Sequence, residues 1–120
     1  MYQFLNLNPR QRDVNDCTIR AIALATNRSW DEVYRELSMF AQSLAVMPDD
    51  VEYIDDYLLR RFERVCNCRN RNITVGEFVE HNPKGVFLIT MKGHITCAID
   101  GVVYDTFDPS NKKIWDAYRV

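Results

Sequence analysis

Residues 86–107 read VFLITMKGHITCAIDGVVYDTF. Val86 to Met91 and His94 to Ile99 are short runs rich in β-branched and apolar residues, and Asp100-Gly101 is the dipeptide that favours a two-residue hairpin turn. Val102 to Phe107 then returns as the partner strand. An even-length turn sets His94 opposite Phe107 and Thr96 opposite Asp105, with Asp105 the diagonal neighbour of His94. A three-residue loop would shift the register and bring Asp108 forward instead. Lys112 to Val120, with Ile114, Trp115 and Tyr118, is expected as a last strand at the sheet edge.

Upstream of Gly85 the periodicity is helical. Residues 1–15 are polar and irregular, interrupted by Pro9, and lead into Cys17–Ala25, where nearly every side chain is apolar or small. Asn27 is the expected stop. Ser29 with Glu32 forms a capping box ahead of Trp30, Val33, Tyr34, Leu37, Phe40, Ala41 and Leu44 at helical spacing, with Trp30, Tyr34 and Phe40 expected in the core. Pro48 ends that helix, Asp49-Asp50 can cap the next, and Ile54, Leu58 and Phe62 mark its apolar face. Thr74 with Glu77 repeats the capping box before a short helix that stops at Asn82-Pro83. Helices first and an antiparallel sheet second predict an α+β fold, one domain over 1–120, with the helix bearing Cys17 packed on the sheet bearing His94.

Composition narrows the function classes. At 47% apolar and 27% charged residues the chain has the balance of a globular protein, and a formal charge of −2 gives no footprint for nucleic acid. The N-terminus lacks a basic start followed by a long apolar run, and no stretch has the length of a membrane span, so a cytoplasmic location is expected. In that reducing compartment the four cysteines are expected as free thiols.

Cys17 follows the polar run QRDVND at the start of its helix. A thiol there feels the partial positive charge of unsatisfied N–H groups, which favours the thiolate, the form that attacks a carbonyl carbon. His94 is the histidine suited to carry its proton, ahead of His81, which reads as a surface helix-end residue. Asp105 would orient the imidazole. The Cys17 backbone N–H and the side-chain amide of Gln11 are candidate donors to the oxyanion of a tetrahedral intermediate.

Gln11 and Cys17 at the head of an apolar helix, followed much later by Gly93-His94 on a strand and an Asp on the next, resemble the papain-like cysteine peptidase superfamily. The pattern is most similar to its small bacterial members, such as the peptidase domains that trim double-glycine leaders, and to papain-like proteins of bacteria and phages. The resemblance spans residues 11–108. It implies Cys17 as nucleophile, His94 as general base and acid, Asp105 as the orienting group and Gln11 as oxyanion donor. A peptide or protein substrate follows, with no cofactor and no metal.

Two other classes compete. Five arginines lie at 60, 61, 64, 69 and 71 against one acid, Glu63, so the chain could be a catalytically silent papain-like module that grips an acidic partner through residues 60–71. Thr18, where many papain-like enzymes carry glycine, is in keeping with that reading. Cys66 and Cys68 form C-x-C, which invites a metal or redox role but lacks a second ligand pair. Cys97 alternates to the strand face opposite His94 and is expected in the core.

Overall fold

The computed structural model describes residues 1–50 and 53–120. In chain order the elements are β1 (Tyr2–Phe4), α1 (Cys17–Thr26), α2 (Trp30–Ser43), α3 (Ile54–Arg61), β2 (Glu63–Asn67), α4 (Val75–His81), β3 (Val86–Met91), β4 (His94–Ile99), β5 (Val102–Asp105) and β6 (Ile114–Arg119). The strands form one sheet in the order β1-β5-β4-β3-β6-β2. All neighbours are antiparallel except β1 and β5, so this α+β protein has a mixed sheet rather than a purely antiparallel one.

The β4–β5 hairpin turns on Asp100 and Gly101, both at positive φ (47° and 84°), as a primed two-residue turn requires. Its register is Cys97 opposite Tyr104, Ala98 opposite Val103 and Ile99 opposite Val102. Continued by one pair, it sets Thr96 against Asp105.

Three expectations are corrected at the sheet margins. The last strand is not an edge: β6 lies between β3 and β2, with Ile114, Asp116, Ala117 and Tyr118 buried. Residues 1–15 contain β1, which pairs in parallel with β5. The basic stretch after Arg61 is a strand, β2, which takes the edge. Its charged, mostly exposed residues suit a sheet edge, and this is why its strand character is faint in the sequence. Phe62 therefore leaves α3 in an extended conformation (φ −134°, ψ 158°).

The sheet is covered on both faces. Ala21 and Ile22 of α1, Val33 and Leu37 of α2, and Tyr57 and Leu58 of α3 form one core with Leu88, Ile95, Cys97 and Tyr118. Val75, Phe78 and Val79 of α4 form the other with Phe87, Ile89, Ala98 and Ala117. Burial on both faces explains why β3 is a nearly unbroken apolar run. The buried side of α2 is Val33, Leu37 and Ala41, whereas Tyr34 is exposed and Trp30 and Phe40 are half-buried, so the aromatic stripe lies at the margin of the core. Both capping boxes form: Ser29 Oγ accepts from Glu32 N (3.1 Å) and Thr74 Oγ1 from Glu77 N (3.2 Å). Asn27 closes α1 in the left-handed region. No helix among the described residues is long and apolar enough to cross a membrane.

Candidate active site

Cys17 is the first residue of α1, which packs across β4, and His94 is the first residue of β4. The two side chains come together, and each shifts the other's protonation, although the helix and strand lie far apart in sequence. On the other side of the ring, His94 Nε2 lies 2.7 Å from Asp105 Oδ2. An ionised carboxylate only accepts, so Nε2–H donates to Asp105 and leaves Nδ1 for the sulfur. The result is a line of thiol, imidazole and carboxylate.

Burial alone would raise the Cys17 pKa, but it is outweighed by the hydrogen bond with His94, the backbone N–H of Ile95 and the hydroxyl of Thr18, so the thiol sits below its ordinary value. Burial likewise works against a charged His94, whose side chain is only 9% exposed. Its hydrogen bonds to Asp105 and Cys17 prevail and push the imidazole up to about 9. Asp105 is held below the usual carboxylate range: desolvation opposes this, and the bond from His94 overcomes it. The two shifts act in the same direction, toward a thiolate–imidazolium pair. Phe107 lies beside the imidazole, ring centroids 4.7 Å apart and planes tilted by 47°.

Asp105 is fixed from several directions. Its Oδ1 accepts from Arg20 Nη1 (3.1 Å) and the Thr106 amide (2.8 Å), and its backbone carbonyl accepts from Tyr2 Oη (3.1 Å) and the Leu5 amide (2.9 Å). Strand β1 and the residue after it thus clamp the end of β5. Asp108 is turned away and binds Ser110.

Asp16, directly before the thiol, is buried and does not cap α1 with its side chain. Its carboxylate accepts instead from Arg20 Nε (2.7 Å), Trp30 Nε1 (3.0 Å) and Asn8 Nδ2 (3.1 Å). The anion is therefore directed into a polar network rather than at the sulfur.

Gln11 has its side-chain amide engaged within its own loop. It sits at φ 55° in a turn closed by its own amide on the Asn8 carbonyl (2.9 Å). Its side-chain Nε2 donates to the carbonyls of Asn6 (2.8 Å) and Asn8 (2.9 Å). Both amide hydrogens are thereby engaged within the loop. A left-handed residue in a Pro-Arg-Gln turn leaves little sequence signal.

Arg60, Arg61, Arg64 and Arg69 of the arginine-rich stretch meet carboxylates of the same chain. Arg60 meets Asp56 (3.2 Å), Arg61 meets Glu36 (2.8 Å), and Arg69 meets both Asp55 (3.1 Å) and Asp116 (3.2 Å) while lying over the Trp115 ring. The acids absent from the local sequence come from α2, α3 and β6. Cys66 and Cys68 form a disulfide across Asn67, their Cα atoms 5.7 Å apart, which corrects the expectation of four free thiols. Cys17 and Cys97 remain free, and Cys97 is fully buried. Among the described residues no group of three or more His, Cys, Asp or Glu is placed to hold a metal ion. His81 is an exposed helix-end residue whose Nδ1 lies 2.8 Å from the Glu77 carbonyl.

Comparison with known protein families, curated proteins and solved structures finds no match. The class defined by fold and geometry is an α+β protein with a Cys–His–Asp line at a helix N-terminus.

Proposed function

We propose that the chain is a papain-like cysteine hydrolase that cleaves an amide or isopeptide bond in a peptide or protein substrate. The observation that carries the reading is His94, next to Cys17 on one side and held by Asp105 Oδ2 at 2.7 Å on the other. The Cys17 thiolate attacks the scissile carbonyl, and the new oxyanion forms beside the uncapped N–H groups of α1, the Cys17 amide among them. His94 gives its proton to the departing amine, and a thioester to Cys17 remains. Water, losing a proton to His94, then attacks the thioester and releases the acid. Asp105 keeps the imidazole aligned and its charge favourable throughout.

The test is alkylation by iodoacetamide at pH 7, followed by intact mass and peptide mapping. Cys17 is expected to label at least about tenfold faster than free glutathione, because more of it is thiolate. His94→Ala should remove that advantage. Labelling of wild-type Cys17 at the glutathione rate would overturn the reading.

A further inference from the structure

We infer that Arg20 is a positioning residue for this site: its guanidinium clamps Asp105 by one oxygen, leaves the other aimed at His94, and ties that carboxylate through Asp16 to the segment ahead of Cys17. The inference deepens the hydrolase reading and rests on it. Arg20 lies one turn after Cys17 on α1, with its side chain only 12% exposed. Its Nε meets Asp16 Oδ1 at 2.7 Å and its Nη1 meets Asp105 Oδ1 at 3.1 Å. Two buried carboxylates, one beside the nucleophile and one behind the imidazole, thus share one rigid fork. A carboxylate at the end of a strand has a soft terminal torsion. The fork removes that freedom while leaving Oδ2 to His94.

The charged and titratable groups facing this fork are Asp16 and Cys17 from α1 and the residue before it, His94 and Cys97 from β4, Asp105 from β5, and Tyr2 from β1. Cys97 is pushed up to about 12 by burial, and burial also raises Tyr2, so both stay neutral over the useful pH range. Loss of the Arg20 cation makes the remaining cluster more negative, which holds the Cys17 proton more tightly. Loss of the fork loosens Asp105, weakens its support of the imidazolium, and again raises the thiol. Both effects act in one direction.

The experiment follows the Cys17 alkylation rate from pH 4 to 9 in wild type, Arg20→Lys and Arg20→Gln, with Arg60→Lys as a surface control. Circular dichroism establishes which variants fold. Lysine keeps the charge but cannot span two carboxylates, so the Arg20→Lys midpoint should rise by about one pH unit, roughly tenfold less thiolate below it. The Arg20→Gln midpoint should rise further, and the control should track wild type. A folded Arg20→Lys or Arg20→Gln with the wild-type midpoint would reduce Arg20 to a packing role and end the inference. A second measurement needs no variant: the Arg20 Nε signal in nitrogen NMR of the native protein should shift at the midpoint of Cys17 alkylation and again at that of the His94 ring. An Arg20 signal flat across that titration overturns the inference. Wild-type Cys17 labelling no faster than glutathione instead sinks the hydrolase reading, while the Arg20 and His94 signals still report on the clamp.

Discussion

Asp105 and Asp116 are both buried sheet carboxylates held by arginine, yet their surroundings differ in one decisive respect. Asp116, on β6, meets Arg69 Nη2 at 3.2 Å through Oδ2 and has Arg64 Nη1 at 3.9 Å from Oδ1. Its cationic neighbours are arginines that stay charged at any ordinary pH, and the cluster ends at the Trp115 ring and Asp55. Asp105 gives one oxygen to an arginine and the other to a histidine, which in turn touches a thiol. An arginine–carboxylate pair alone cements a sheet edge to a helix. With an imidazole on its second oxygen, the same pair sets the protonation of a nucleophile.

Substituting each carboxylate should break this comparison most sharply. Asp105→Ala leaves Arg20 and His94 without their shared partner in a buried setting, and is expected to cost about 3–5 kcal/mol in urea unfolding. It should also lower Cys17 alkylation at pH 7. Asp116→Ala should cost less, about 1–2 kcal/mol, because Arg64 and Arg69 reach water, and should leave Cys17 alkylation unchanged. Equal loss of thiol reactivity in both variants would show that the two clusters are not functionally distinct.

The pH dependence of His94 sharpens the contrast. Its folded pKa, about 9, lies above the ordinary value of 6.5. The stabilisation from the charged imidazole is therefore fully present below 6.5 and is lost as pH rises through about 9. Cys17 is shifted down, so its contribution is present above its unfolded value and lost as pH falls through the folded one. Carbon–proton NMR should find the His94 ring titrating near 9 in wild type and well below it in Asp105→Asn. A wild-type midpoint at 6.5 would contradict the ion pair.

The smallest effect is expected at Gln11. Gln11→Ala removes two hydrogen bonds to loop carbonyls in a largely exposed segment, worth about 1 kcal/mol in thermal unfolding. It should leave the Cys17 alkylation profile in place; a shift of that profile would mean that the loop reaches the sulfur.

Legibility followed the range of the interaction. The Asp100-Gly101 turn set the hairpin register by itself, and with it the choice of Asp105 over Asp108 as the neighbour of His94. The capping boxes at Ser29 and Thr74 and the stop at Asn27 were equally local. Strands β1 and β2 were not legible: β1 is three residues long, and β2 carries charges at an edge, so neither shows clean alternation. Trp30 read as core, whereas it is half-buried and gives its indole N–H to the Asp16 carboxylate. Nothing near Arg20 in the sequence announced that it would bridge to a strand 85 residues away.

Taken alone, the sequence determined the helical and extended segments, the hairpin and its register, and the placing of a thiol at a helix start, because turn chemistry, caps and periodicity act over a few neighbouring residues. Tertiary structure alone decided that β6 lies inside the sheet, that Asp16 turns away from Cys17, that Gln11 is engaged in its own loop, and that Arg20 joins two buried carboxylates. Those outcomes depend on pairing charges and backbone groups from distant segments away from water, and such pairing has no local pattern.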